Sequence, residues 1–442
     1  MRRIFPAFTY GPGPRNGCWW DETIAAPDWP VLEQDGRVDV AIVGGGFTGV
    51  SAAYHLAREG AAVAVLEAET PGWGASGRNG GFCCLGGAKT SDAALTRQFG
   101  EHGARSYRDA EYAAVRLVDQ LIETLGIDVD RHSQGETLLA HRPRDMERMK
   151  REAGDLTRDG DPEPILIEAA DLADHGMNGP FHGALTTPVG FALNPRKYLF
   201  GLADAAQRQG AHLYQKSPVT DLRREGSAWH VKTPRGVLAA DTVIVATNGY
   251  SSEDIPHWMT GRYLPSQSNV IVTRPLTDAE LAAQGWHSGQ MAYDTRNLLH
   301  YFRLMPDRRF LFGLRGGLRS SPSAEAQARR RNRRDFERMF PAWKEVPSVH
   351  QWSGLVCLSR RRVPFVGAIP EQSGLLAGFA YHGNGVAMGS YVGRLLADLA
   401  LSKRSELPYS TAMSALPPRF PLGGLRRLLM PAAYLYYGIC DL

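Results

Sequence analysis

Residues 38–49 read Val38-Asp39-Val40-Ala41-Ile42-Val43-Gly44-Gly45-Gly46-Phe47-Thr48-Gly49. Val38–Val43 is an apolar run that fits a short buried strand, and Val50, Ala53, Leu56 and Ala57 repeat at helical spacing through Val50–Arg58. Between strand and helix lies G-x-G-x-x-G. In that setting Gly44 permits the tight turn, Gly46 lets backbone approach a pyrophosphate, and Gly49 lets the helix sit close on the sheet. Unpaired amides at the helix start then meet the phosphates. Ala62–Glu67 gives a second buried strand, and Glu67 ends it 23 residues after Gly44. An acid at this position binds both ribose hydroxyls and disfavours a 2′-phosphate. A glycine turn without ligand is the bland alternative, and Glu67 argues against it.

The next segment reads Gly72-Trp73-Gly74-Ala75-Ser76-Gly77-Arg78-Asn79-Gly80-Gly81. So many glycines let main chain pass close to a flat, extended ligand and offer it N–H donors. A nicotinamide cofactor leaves such a domain at its open end and needs no second loop. FAD does, because its isoalloxazine reaches into a second domain. The pair of segments therefore points to FAD.

At 442 residues the chain has room for two to three domain-sized units. Hydrophobic residues at 43% and charged residues at 22% fit an ordinary globular protein, and a net charge of +4 implies neither nucleic acid nor a membrane surface. The densest basic run, Arg329-Arg330-Arg331-Asn332-Arg333-Arg334, has Glu325, Asp335 and Glu337 close by and reads as a solvated helix face, with no nucleic-acid partner. Five cysteines (Cys18, Cys83, Cys84, Cys357, Cys440) show no metal-ligand spacing, so no metal site is expected and a reducing, cytoplasmic setting is. The opening residues contain no apolar signal segment, and no apolar run reaches the roughly 18 residues that span a bilayer.

Strand and helix patterns alternate at both ends of the chain. The expected fold class is α/β, α+β overall: a discontinuous Rossmann-type FAD-binding domain (36–91, 176–255 and 350–405) with an inserted antiparallel-sheet substrate domain (92–175 and 256–349). Residues 92–125 and 140–175 read as helical, Gly183–Thr187 as a strand, Arg196–Gln209 as a helix capped by Asn194, and 299–315 and 349–358 as strands. A helix is expected over 323–340 and another over Val386–Leu401. Residues 1–35 read as a surface arm without periodicity. The tail 406–442 ends in the apolar, aromatic stretch Leu428–Ile439, either a segment on the protein's own surface or a membrane-surface helix; because Pro431 interrupts a short run, self-packing is expected, with no stable membrane anchor.

Gly44–Gly49, Glu67, Gly74–Gly81, Ala246-Thr247-Asn248-Gly249-Tyr250 and Tyr381-His382-Gly383-Asn384-Gly385-Val386 together resemble the D-amino-acid oxidase superfamily of FAD-dependent oxidoreductases. The similarity is greatest to its gamma-glutamylputrescine oxidase branch, through Ala75–Gly81, Tyr301-Phe302-Arg303, Trp352-x-Gly354, Ser359-Arg360 and Pro364, and covers about residues 38–402. The resemblance implies FAD pyrophosphate and ribitol along Gly44, Gly46, Phe47, Thr48 and Gly49 and along Gly74, Ala75, Ser76, Gly77, Arg78, Asn79 and Gly80. It implies Val219 over the adenine, Thr247 and Gly249 beside the cofactor, and Gly383, Asn384, Gly385 and Val386 at the flavin, where a helix N-terminus favours the anionic reduced ring.

The chemistry implied by the resemblance is C–N oxidation of an amine, gamma-glutamylputrescine-like or another primary or secondary amine. Hydride passes to flavin N5, water hydrolyses the imine, and O2 reoxidises the flavin. The alternative is an amino-acid or N-methyl amino-acid dehydrogenase with a non-oxygen acceptor. A flavoprotein without turnover and an NAD-dependent dehydrogenase are further alternatives. Ser76 stands in Gly-Ala-Ser-Gly and is no hydrolase elbow. Relatives that clamp an α-carboxylate resemble this chain with an Arg two residues after Trp-x-Gly; here that residue is Val356, which disfavours a simple amino acid. The lysine that assists oxygen in sarcosine oxidases falls near Leu311. The usual Gly-His-Gly is Gly383-Asn384-Gly385, so His382 either faces the flavin or is a satisfied loop histidine. Tyr301 and Arg303 alternate on a strand over the flavin; either both enter the pocket or one faces core. Tyr301, Arg303 and His382 are the candidate catalytic residues. Cys357 lies near the site of covalent flavin attachment in some relatives but in another register, so FAD is expected to be non-covalent.

Overall fold

The computed structural model describes residues 1–156, 163–317 and 319–441. Its first sheet is built on three parallel strands, Gly36–Val43 between Val63–Leu66 and Val237–Val245, in the order Phe365–Ala368, Leu375–Phe379, Val237–Val245, Gly36–Val43, Val63–Leu66, His212–Tyr214. Register aligns Val43 with Leu66 on one side and Val245 on the other. The three strands therefore stop together, and Gly44, Glu67 and Ala246 leave at one carboxyl edge, where open α/β sheets bind ligands. A hairpin of Asp221–Glu225 and Ala228–Lys232 is added on the strand Val237–Val245.

Apolar faces close this sheet from both sides. The helices Phe47–Arg58, Pro195–Arg208 and Ala387–Ala400 pack on one face with Ile42, Val50, Leu56, Leu199 and Leu395 fully buried. Asn194 caps the helix it precedes, its Oδ1 accepting the amides of Arg196 (3.1 Å) and Lys197 (3.2 Å). Asp92–Leu125 is one long element broken at Gly100 (φ 73°). It packs with those same helices through Tyr107, Val118 and Leu121, and so departs from the substrate domain in which its sequence position placed it.

The second sheet has eight strands in the order Ser348–Leu358, Leu264–Thr273, Phe310–Arg315, His300–Leu304, Met291–Asp294, Glu136–Leu139, Gly183–Thr187, Ile165–Glu168. It is antiparallel except where Met291–Asp294 runs parallel to Glu136–Leu139. Two boundaries shift from expectation: Gly183–Thr187 and Ser348–Leu358 pair into this sheet. An apolar run carries its own strand propensity but not its partner's identity. Within 140–175 only Pro143–Glu152 is α-helical, and Ile165–Glu168 is an edge strand; residues 157–162 of that helical expectation lie outside the described residues. Residues 1–35 are no surface arm either. Cys18, Trp20, Trp29 and Leu32 are buried, because four aromatic or apolar side chains have more to gain inside than periodicity reveals. The tail does form a helix, Leu429–Cys440, with Pro431 in its first turn, where its missing N–H costs nothing.

One helix, Pro322–Met339, covers the second sheet through an aromatic cluster. Phe310 lies at its centre, 4.8 Å from the rings of both Phe340 and Trp343 and 6.0 Å from those of Phe302 and Trp286. Phe310→Ala removes a fully buried ring and is expected to cost about 3–5 kcal/mol. A fall in the chemical-unfolding midpoint, read by near-UV circular dichroism, measures it.

Candidate active site

The edge of the first sheet makes the turn that sequence spacing required. Gly44 has φ 107°, and a Cβ on Gly49 would stand 1.9 Å from the Gly44 carbonyl oxygen, so strand and helix meet too closely for any side chain there. The amide of Gly45 donates to Glu67 Oε2 at 2.9 Å, and the amide of Glu69 donates to Oε1 at 3.0 Å. Burial raises the Glu67 pKa, and these two amides offset the rise only in part. The amide of Phe47, first residue of the helix, donates to Ser76 Oγ at 3.0 Å. That bond joins the two glycine-rich segments across 29 residues of chain.

The loop 72–81 is held by groups sequence reading left unassigned. Trp20 Nε1 donates to the Asn79 carbonyl (2.8 Å), Arg15 to those of Gly72 (2.8 Å) and Trp73 (3.1 Å), and Trp352 Nε1 to that of Arg78 (2.7 Å). Each partner comes from a distant segment, and isolated tryptophans and arginines carry no spacing signal. Arg78 lines the cavity, but its guanidinium is spent on the carbonyls of Trp73 and Ser353. Asn79 folds back on its own loop, from Nδ2 to the Ala75 and Ser76 carbonyls.

One continuous cavity runs from this edge to the second sheet. Its walls include Gly44, Gly46, Phe47, Thr48, Glu67, Gly74, Ala75, Ser76, Asn79, Gly80, Val219, Thr247 and Gly383–Val386, the candidate cofactor residues. Gly49, Gly77 and Gly249 stand behind the wall; Gly249 spaces the Thr247 turn from Leu355, whose Cβ would be 3.3 Å from an added methyl. Thr48 Oγ1 is 2.7 Å from the Tyr381 hydroxyl, tying the turn to the segment before the last helix.

His382 is fully enclosed. Its Nδ1 contacts the Gly87 carbonyl oxygen at 2.7 Å and its Nε2 accepts the Ser359 amide at 3.1 Å. That pairing requires the neutral ring with the proton on Nδ1, and burial lowers its pKa to about 3. Both nitrogens are committed, and the residue also stands in the cavity wall, so a satisfied loop histidine lines the cavity. Asn384 donates from Nδ2 to the Cys84 carbonyl at 2.5 Å, while its buried Oδ1 has no partner among the described residues.

Tyr301 and Arg303 do share one face of their strand, but at different depths. Tyr301 lines the cavity, its hydroxyl 3.0 Å from Ser268 Oγ. Arg303 lies one pleat beyond, outside the cavity lining, donating to the Leu193 carbonyl (2.8 Å) and meeting His132 Nε2 (3.0 Å). Leu311 is also away from the cavity, packed with Trp20 and Trp352. Val356 and Cys357 line it, and burial holds the Cys357 thiol protonated, with its pKa raised to about 12.

Among the wall residues missed are Lys89, Glu136, Tyr293 and Arg315. Glu136 opens its strand almost wholly buried, accepting from the Tyr293 hydroxyl, the Cys84 thiol and the Leu85 amide; burial raises its pKa to about 7. The nearby Arg315 guanidinium, then burial, push Lys89 down to about 7. Arg315 donates to the His382 carbonyl at 2.6 Å. An acid placed directly before the apolar run Thr137–Leu139 was the one available signal.

These residues suit FAD. The Glu67 carboxylate stands at the ribose position, helix amides and loop 74–80 can take a pyrophosphate, and the unpaired Asn384 Oδ1 offers an acceptor at the ring end. Comparison with known proteins agrees. The family model "FAD dependent oxidoreductase" matches residues 39–399. The gamma-glutamylputrescine oxidoreductase of Escherichia coli K12 is 30% identical over 413 residues, 93% of this chain and 94% of that protein. The probable oxidoreductase OrdL of Haemophilus influenzae is 30% identical over 382 residues, 86% of each. Among solved structures, glycine oxidase from Geobacillus kaustophilus superposes with a TM-score of 0.70 at 22% identity, over 86% of this chain and 98% of that one, a likeness of fold. A strand–glycine turn–helix, a second glycine-rich loop joined to it and a family match over most of the length make the chain a member of the FAD-dependent oxidoreductase family typified by D-amino-acid oxidase.

Proposed function

We propose that the enzyme oxidises a C–N bond of an amine bearing further charged groups, a gamma-glutamylated polyamine being a fitting example. The observation that carries this reading is the charged end of the cavity, where Glu136 stands with Lys89 and Arg315. Bound FAD supplies the two-electron acceptor for the hydride that leaves the carbon beside the amine nitrogen. The protein's own task is placement. Glu136, ionised, pairs with a substrate ammonium, while Arg315 and Lys89 receive a carboxylate remote from the reacting carbon. Val356 leaves the space beside the flavin loop apolar, so no guanidinium clamps an α-carboxylate there. Tyr301, in the cavity wall with its hydroxyl 3.0 Å from Ser268 Oγ, would shape the approach of the substrate carbon. Arg303 and His382 act as positioning residues, holding the strand and the 382–386 loop. Water hydrolyses the released imine. The protonated Cys357 thiol is a poor nucleophile, which favours non-covalent FAD. The five free cysteines suit a cytoplasmic enzyme.

The position of Leu311 supports a second reading, in which electrons pass to an acceptor other than O2, because residue 311 carries no cation and packs away from the cavity against Trp20 and Trp352. Anaerobic mixing of the yellow protein with an amine panel separates these readings. Bleaching by charged amines is expected, and the rate of recolouring in air distinguishes oxidase from dehydrogenase; failure of every amine to bleach the flavin sinks the proposal. In Gly46→Val the new side chain meets Ser76 Oγ, already 2.8 Å from a Cβ there, and the pyrophosphate path. The purified variant is expected to be colourless, and full flavin content would refute the assigned turn. Glu136→Gln removes a buried charged hydrogen-bond partner and should raise KM for ammonium-bearing substrates at least about tenfold with little change in kcat. As pH falls through about 7, Glu136 gains a proton and binding of a cation weakens. Steady-state pH profiles should show that loss in the native enzyme and its absence in Glu136→Gln.

A further inference from the structure

Among the described residues, seven of the eleven large apolar side chains left exposed belong to the last 27 positions. Six of them, Leu422, Leu425, Leu428, Leu435, Tyr436 and Ile439, range from 57% to 68% exposed. The helix Leu429–Cys440 contains no charged residue, and the body of the enzyme buries only Met430 from it. This is no frayed end. Arg426 is fully buried, giving Nη1 and Nη2 to the two Glu253 oxygens (3.1 and 2.6 Å) and Nε to the Tyr263 carbonyl (2.8 Å). The Tyr434 hydroxyl is 2.7 Å from Ser266 Oγ, Arg142 donates to the Cys440 carbonyl at 2.6 Å, and Asp441 accepts the amides of Asn297 and Leu298 at 2.7 and 2.9 Å. The segment is thus fixed at several points along its length, with its leucines turned toward water.

The charge beside it is one-signed. A groove separates this helix from Pro322–Met339; Pro431, Tyr434, Leu435 and Ile439 line one side, and Arg330, Arg331 and Arg334 the other. Those three arginines are exposed, and Arg330 and Arg331 stand four and three residues from Arg334, spacings that bring them to one side of the helix. Carboxylates on the same side are engaged: Asp335 lies among His300, Arg331 and Arg334, one acid against two exposed guanidinium groups and the ring, and Asp441 caps the two amides. A rigid apolar ridge flanked by arginines has the chemistry of a surface that lies in an anionic membrane interface, with leucines in the acyl boundary and guanidinium groups among the phosphates. Pairing with a second copy through the same ridge is disfavoured, because twofold symmetry would bring both arginine rows to one contact with no free acidic row opposite. No helix among the described residues is long and apolar enough to cross a membrane, so the attachment is peripheral.

We infer that residues 422–439 and the arginine face of 330–334 dock the enzyme reversibly on an anionic lipid bilayer. Flotation of the FAD-loaded full chain with phosphatidylcholine vesicles, with and without phosphatidylglycerol, tests this. The chain is expected to float with the anionic vesicles, to do so several-fold less with the neutral ones, and to be released by salt. Leu425→Glu combined with Leu435→Glu should reduce flotation at least about tenfold, and Arg330→Glu combined with Arg334→Glu should lower it to the neutral-vesicle level. All four side chains are exposed, so flavin absorbance and far-UV circular dichroism should stay unchanged. No flotation, equal flotation with both vesicle types, or flotation unaltered in both variants would overturn the inference. So would a dimer in sedimentation equilibrium that Leu425→Glu dissociates.

Discussion

The hydrogen bond from the Phe47 amide to Ser76 Oγ is the join on which the remaining architecture depends. A parallel strand edge can present amides to a phosphate, but alone it makes an open crevice. Ser76 brings the loop 72–81 over that crevice and gives the slot its second wall. The loop in turn is fastened to the second sheet, since Trp352 Nε1 and the Ser353 carbonyl both bond Arg78. These contacts together position the second sheet relative to the first. The arm contributes to the same constraint, with Arg15 and Trp20 satisfying loop carbonyls that would otherwise be buried without partners.

What could be read from sequence was what is decided locally. A positive φ at Gly44, a close approach at Gly49, an acid at the end of the second strand and an Asn cap at 194 each depend on a few neighbouring residues. The cofactor end of the site was legible for that reason. Sheet membership was not, because Gly183–Thr187 looks the same whether it pairs beside Glu136–Leu139 or elsewhere. Depth along a strand was equally silent: period two correctly places Tyr301 and Arg303 on one face but cannot say that the cavity ends between them. The arm's tryptophans failed for a related reason, since burial without periodicity leaves no pattern to detect.

At the charged end of the cavity, burial of ionisable groups works against stability. Glu136, Lys89 and Arg315 come from a strand start, a loop and a strand end that only the fold brings together. Removing a carboxylate from water is unfavourable, and the Tyr293, Cys84 and Leu85 donors only partly offset it, so the pKa stays near 7. A purely structural site would be served as well by an apolar residue. Retention of the acid beside two cations is therefore better explained by a ligand that completes the pairing.

The loop before the last helix couples the two ends of the site. Ala380, His382 and Gly383 all have positive φ, at 70°, 52° and 109°, a conformation that non-glycine residues adopt at a cost. That backbone persists because its polar groups are held from several directions: the His382 ring by Gly87 and Ser359, its carbonyl by Arg315, and Asn384 by Cys84. A protonated His382 would lose the Ser359 amide bond, so burial that keeps the ring neutral also keeps the loop in shape. Arg315 serves both sides of this arrangement, lining the charged end of the cavity while donating to the carbonyl that precedes Gly383. One side chain, Arg315, thereby both lines the cavity beside Glu136 and Lys89 and supports the backbone that leads into Gly383 and Gly385.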